Sequence, residues 1–310
     1  FLTEPVTIDG RDMALVHIYS EYPNYAWVDD ADEGLSAVDD VARAAVVYLW
    51  EYERTGDSSL LDLARRCLEF VLYMQAEDGE FYNFVFTREG TINRTGGTSF
   101  TILGWWAMPA LWALGEGVRV FDPVDPAYAD QLAAAYRRTE TALAATMSNY
   151  GQYSALHGFE IPAWIPNAEP AVASIGLLGL SAYYQARPNE ETAGIITQIA
   201  DAVAEYRLGD HTEYPFGMHP TRSNAPGFWH NWGAHMPFGF TLFGEWTVSG
   251  QAQSLRQRHQ QSHSCSAIWR SSRSVTLASS PTGWNRSPMG RICWYRRMLR
   301  CIRHLATNDM

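Results

Sequence analysis

The chain has 310 residues, a formal net charge of −11, and 12 Trp, 16 Tyr and 13 Phe. That is enough material for one large or two ordinary domains, and the negative balance argues against nucleic acid or an anionic membrane surface as a partner. The longest uncharged apolar run, 100–114, is too short to span a bilayer and contains Pro109, so no membrane segment is expected.

The charge is unevenly distributed. Residues 1–246 hold 33 of the 34 acidic residues and 13 of the 23 basic ones, all arginine, whereas 247–310 hold Asp309 alone against ten arginines. A change of composition just after Gly250 divides the chain into a body, 1–250, and an atypical basic tail, 251–310. The tail reads as a basic arm, as a loose set of metal ligands (Cys265, Cys293, Cys301), or as a frameshifted or disordered segment. It lacks a nucleic-acid motif and the close cysteine pairs of a zinc site, and no function is assigned to it. No basic stretch leads into an apolar one at the start of the chain, so localisation stays open.

The first helix is expected over 39–53, apolar nearly all round and therefore buried. A second, over 58–75, is amphipathic: Leu60, Ala64, Cys67, Leu68, Val71 and Met74 share a face opposite Asp62, Arg65, Arg66 and Glu69. The alternation repeats. Buried helices are expected over 98–115 (interrupted by Pro109), 169–185 and 232–246. Amphipathic ones are expected over 126–149, through Leu132, Ala135, Tyr136, Leu143 and Met147, and over 190–208, through Ile195, Ile196, Ile199, Val203 and Tyr206. No stretch of period-two alternation competes, so the chain reads as all-α. Buried helices starting near 39, 98, 168 and 232 imply a repeated unit of inner helix, outer helix and long loop. Such units form a ring of helical hairpins. The aromatic, Gly/Pro-rich loops 79–97, 150–170 and 210–233 each deliver the chain to an inner helix, so they would meet at one end and form a cleft.

Asp39 and Asp40 open the first inner helix. One is expected to cap it and favour its dipole, the other to face the cleft. Arg43 can pair with either on one helical face, or meet an anionic sugar. Glu169 occupies the equivalent place before the third inner helix, with first-turn dipole complementarity as its structural reading. Glu160 and Glu33 are further carboxylate candidates. The run Asp29, Asp30, Asp32, Glu33 lacks the spacing of a calcium loop and reads as a solvated acidic loop. Trp105 and Trp106 read as core, whereas Trp164 and Trp232, flanked by Pro, Asn and Gly, read as stacking platforms. His157, His219, His230 and His235 suit hydrogen bonds to hydroxyl groups, because HNWGAH does not have the spacing of a zinc-binding helix. No metal site and no cofactor motif is expected.

The segments VDDVARAAVVYL, GEFYNF and ALWALGEG resemble helical domains attached to bacterial glycosyltransferases. More broadly, residues 20–250 resemble the six-hairpin, or (α/α)6-toroid, glycosidase superfamily. The resemblance implies an incomplete (α/α)6 barrel, four of whose six hairpins can be recognised, acting on a carbohydrate. It implies Asn83 and Arg94 as substrate contacts beside Arg43, His157, Trp164, His230, Trp232 and His235. Glycoside hydrolysis uses two carboxyl groups, here an Asp of the 39/40 pair with Glu169. The alternatives are a sugar epimerase or isomerase using the loop histidines as proton carriers, and a non-catalytic carbohydrate-binding or glycosyltransferase-accessory domain.

Overall fold

A computed structural model describes residues 3–156, 159–206, 212, 219, 244, 247 and 248, with the side chain of Phe159 not described. Its core is three helical hairpins in sequence. The first is α1 (Val38–Thr55) and α2 (Ser58–Tyr73), the second α3 (Ala107–Phe121) and α4 (Pro126–Met147), the third α5 (Pro170–Ala186) and α6 (Glu190–Glu205). The fourth expected inner helix, 232–246, lies almost wholly outside the described residues. All described residues belong to one compact unit, Phe1–Cys265.

The helices separate into two layers, but α1, expected to be buried nearly all round, keeps an exposed face that includes Val47 and Trp50. Helices α3 and α5 are buried on every side, and α3 lies between α1 and α5. Helices α2, α4 and α6 each pack one apolar face on their own inner partner and keep a wet face outside. Each outer helix is capped by a side chain: Asp57 accepts from Ser59 N at 2.9 Å, Asp125 from Tyr128 N at 3.2 Å, and Asn189 from Thr192 N at 2.9 Å. The inner helices, which follow Ala37, Trp106 and Glu169, have no side-chain cap.

Close backbone approach fixes the α3–α5 pair. A Cβ at Gly179 would stand 2.6 Å from Leu111 O, and one at Gly115 would stand 2.2 Å from Gly179 O. Further toward the helix starts, Gly176 faces Met108, so the two helices run parallel. The starts of α1 and α3 are tied together as well: Asn83 O accepts from Val38 N at 2.8 Å, and Phe81 O accepts from Trp106 Nε1 at 2.7 Å. The inner helices therefore begin at one end, the end expected to carry the cleft.

Two expectations are corrected. The all-α reading missed strands, because residues 4–28 form two hairpins, β1 (Glu4–Ile8) with β2 (Arg11–Leu15) and β3 (Tyr19–Glu21) with β4 (Ala26–Val28). Asp9 and Gly10 turn the first of these with φ of 50° and 75°, the conformation a two-residue hairpin loop demands. Further ladders pair β5 (Ser36–Ala37) with β6 (Phe84–Val85) and β7 (Tyr153–Leu156) with β8 (Phe159–Pro162). The second correction concerns α3, which begins at Ala107 rather than 98. Pro109 falls in its first turn, where a missing N–H costs no helical bond, so the proline marks a start and not an interruption.

Candidate functional site at the start of the first inner helix

Ser36 and Ala37 pair with Phe84 and Val85, and this ladder delivers α1 against the loop 79–97. The helix begins at Val38 with Ala37 as its cap residue, so neither Asp39 nor Asp40 is the cap; both lie in the first turn. The expected division into one capping and one cleft-facing Asp is corrected accordingly. Asp39 Oδ2 accepts from Arg43 Nη1 at 2.6 Å, and Asp40 Oδ1 lies 3.5 Å from the same nitrogen. Arg43 thus bridges the pair.

Partial burial raises the pKa of Asp40 above its ordinary value. The charge of Asp39 adds to the effect and Arg43 opposes it. The side chain nonetheless keeps 43% of its exposure, so a substrate atom could reach it.

The acidic run 29–33 is an ordered loop facing this helix start. Asp30 Oδ1 accepts from the N–H groups of Asp32 and Glu33 at 2.8 and 2.9 Å, which lowers its pKa. The Asp30 and Gly34 backbones exchange hydrogen bonds at 3.0 and 2.9 Å. Gly34 has φ of 112°, and a Cβ there would be 2.3 Å from Val85 O, so the loop can close only on glycine. Fully buried Asn93 pins the loop from the other side: its Nδ2 donates to Asp32 O at 2.7 Å, while its Oδ1 accepts from Thr95 N and Gly96 N at 3.1 Å each.

Tyr19, on β3, joins the loop to the helix. Its hydroxyl donates to Glu33 Oε2 at 2.7 Å. Its own pKa is raised, first by that hydrogen bond, then by desolvation and by the charges of Glu33, Asp30 and Asp40. Three carboxylates from two segments therefore act on one phenol. Asp29, Asp30 and Asp32 are exposed, as a solvated acidic loop requires, while Glu33 is half-buried. A signal for β3 and β4 was present in the two-residue spacing and aromatic content of 19–28, which is strand-like.

The other expected residues divide. Asn83 is buried, and its amide donates to Thr98 O at 3.1 Å, leaving Oδ1 without a hydrogen-bond partner among the described residues. Its amide thus ties the 79–97 loop to the residue just after it. Arg94 is exposed, stacks over the Tyr82 ring at 4.2 Å and donates to its hydroxyl. Trp164 is corrected outright: only 1% exposed, it donates from Nε1 to Gln198 O at 2.8 Å and meets Tyr150 and Tyr153 edge-on. It has no open face for a sugar. Glu160 is exposed on β8. Buried His219 donates from Nε2 to Val203 O at 2.7 Å. His157, His230, Trp232 and His235 lie outside the described residues.

Glu169 immediately precedes α5, after Asn167 and Ala168 in the left-handed region (φ 54° and 53°). Burial and the Glu169 charge push the Tyr206 phenol up to about 12. Among the described residues no group of three or more His, Cys, Asp or Glu could hold a metal ion, and no helix is long and apolar enough to cross a membrane.

No family model and no curated protein matches the chain. Solved structures with a related course include a metagenome-derived glycoside hydrolase family 9 endoglucanase, with 20% identity and a TM-score of 0.41 over 64% of this chain and 43% of that one. The polysaccharide lyase BACCELL_00875 gives 14% and 0.44 over 68% and 59%. The Lin0763 protein from Listeria innocua gives 8% and 0.42 over 69% and 56%. The chain thus spans about half the length of these structures. All three TM-scores lie below 0.5.

Proposed function

We propose that this chain is a carbohydrate-active enzyme that cleaves glycosidic bonds through paired carboxyl groups at the start of α1. The observation that carries the reading is that Asp40, whose pKa is raised, and Glu33, held by the Tyr19 hydroxyl, both act electrostatically on that phenol. A carboxyl group with a raised pKa can serve as the acid of such a pair. Asp40 is the proton donor to the leaving oxygen. Arg43 and Asp39 tune it, and an ionised carboxylate acts on the sugar or on water.

Glu33 and Glu169 compete for the second role. Glu33 and Asp40 both act on the Tyr19 phenol, whereas Glu169 starts α5, with α3 between it and Asp40. Turnover of a panel of neutral and amino oligosaccharides by Asp40→Asn, Glu33→Gln and Glu169→Gln separates them. Loss of general acid catalysis in Asp40→Asn is expected to slow cleavage by about 10²–10⁴-fold while binding persists. Only one of the two Glu variants should match it. Parental turnover in all three variants would discard the reading, and a parent that binds sugar without cleaving it would leave a binding domain.

A further inference from the structure

The β3–β4 hairpin exposes four aromatic side chains within nine residues. Tyr22 and Tyr25 at its tip are 82% and 66% exposed and meet edge to face at 6.3 Å, while Tyr19 and Trp27 are each 46% exposed. Isolated exposed apolar groups are ordinary, but a concentration on one short ribbon marks an interaction surface. The strand register puts Trp27 opposite Ser20 and Tyr19 opposite Val28, so aromatic rings occupy both faces as well as the tip.

Trp27 is held in place from behind. The His17 ring stacks on its indole at 4.0 Å and 8°, and the His17 side chain is itself only 2% exposed. His17 Nε2 lies 2.7 Å from Glu4 Oε2, and Nδ1 is 3.8 Å from Asp29 Oδ1 with no hydrogen bond of its own. The indole is therefore a fixed ring, one face covered by imidazole and the other open. At the tip, Tyr25 has φ of 52°, a left-handed conformation that disfavours a non-glycine residue. It holds a large side chain in water.

The surroundings select the occupant. Residues 18–42 carry seven acidic residues and no arginine or lysine. The cations around this stretch are already paired: Arg88, which feels the charge of Asp29, donates to Glu4 at 2.8 Å, and Arg43 is engaged by Asp39 and Asp40. A polyuronate would be repelled here. An uncharged glycan would use the rings but leave the carboxylates idle. A glycan bearing free amino groups uses both, with its ammonium groups over aromatic faces and beside carboxylates.

We infer that the β3–β4 hairpin is a docking surface for an amino-sugar glycan, leading to the carboxyl pair at the start of α1. This rests on the reading of that helix start as a carbohydrate site. The test is calorimetric binding to the full chain of a glucosamine oligomer, its N-acetylated form and an oligouronate. The glucosamine oligomer should bind at least about tenfold tighter than either of the others, a difference of about 1.4 kcal/mol, and should weaken with added salt. Tyr22→Ala and Tyr25→Ala, which remove tip rings without disturbing the His17 stack, should each weaken it several-fold. Equal binding of the N-acetylated oligomer, tighter binding of the uronate, or unchanged binding in both tip variants would overturn the inference. The two proposals fail separately. Cleavage of neutral oligosaccharides that depends on Asp40, without amine-selective binding, sinks only the docking surface. Amine-selective binding that depends on Tyr22 and Tyr25, without cleavage, sinks only the hydrolase.

Discussion

Replacing Gly179 by alanine tests the packing that aligns the inner helices, and its cost can be worked from the geometry. The added Cβ would stand 2.6 Å from Leu111 O, and 2.7 Å from both Leu111 C and Trp112 Cα. These separations lie roughly 1 Å inside the optimum of about 3.5–4.0 Å for such contacts. All three atoms are backbone, so no side chain can swing away and α5 must move off α3. Overpacking of this kind costs about 1–3 kcal/mol, and an immovable neighbour puts Gly179 at the upper end. Alanine recovers about 1 kcal/mol of helix propensity, leaving a net loss of about 2 kcal/mol. Gly194 on α6 is the control, since its Cβ would meet nothing within 4 Å and the propensity gain should appear alone. Urea unfolding followed by circular dichroism should give Gly179→Ala a lower midpoint than the parent and Gly194→Ala a higher one. A Gly179→Ala protein as stable as Gly194→Ala would refute the close approach of α3 and α5.

Asn93→Ala should destabilise by about 3 kcal/mol, because it removes the buried bonds to Asp32, Glu33, Thr95 and Gly96; hydrogen exchange should then show Asp32 and Glu33 released ahead of α1. Asp40→Asn should leave stability at neutral pH unchanged or slightly improved: the folded pKa lies above the unfolded one, so ionisation weighs against folding as pH rises, and the advantage over the parent should fade in acid. Glu4 behaves oppositely, its pKa lowered chiefly by the hydrogen bond from Arg88 and further by His17. The stability it contributes is present above about 4.5 and is lost as pH falls through the lowered folded value, so Glu4→Gln should flatten the acid limb of a stability–pH profile.

Helix type and layer could be read from residues because each outer helix repeats its apolar positions on one face, and Ile195, Ile196, Ile199, Val203 and Tyr206 are all buried as that pattern requires. What periodicity could not supply is the direction in which a polar or aromatic side chain is spent. Trp164, between Ala163 and Ile165 and near Pro and Asn, has the neighbours of an exposed ring, yet a carbonyl on α6 takes its N–H and two tyrosines close over it. Asn83 and Asn93 are alike in the sequence, and only tertiary pairing separates a scaffold amide beneath α1 from the pin of the acidic loop. The adjacent Asp39 and Asp40 posed the same difficulty. Residues about 100° apart on a helix are expected to part company, but Arg43, three and four residues on, reaches both and holds them as one electrostatic unit. A partner for that unit therefore has to come from another segment. Glu33 acts on the same Tyr19 phenol as Asp40, and it is placed by a glycine that must remain glycine, a buried asparagine and a tyrosine hydroxyl, none of which helical spacing can register. The chemistry proposed for this end thus depends on the loop architecture at least as much as on the helices that organise it.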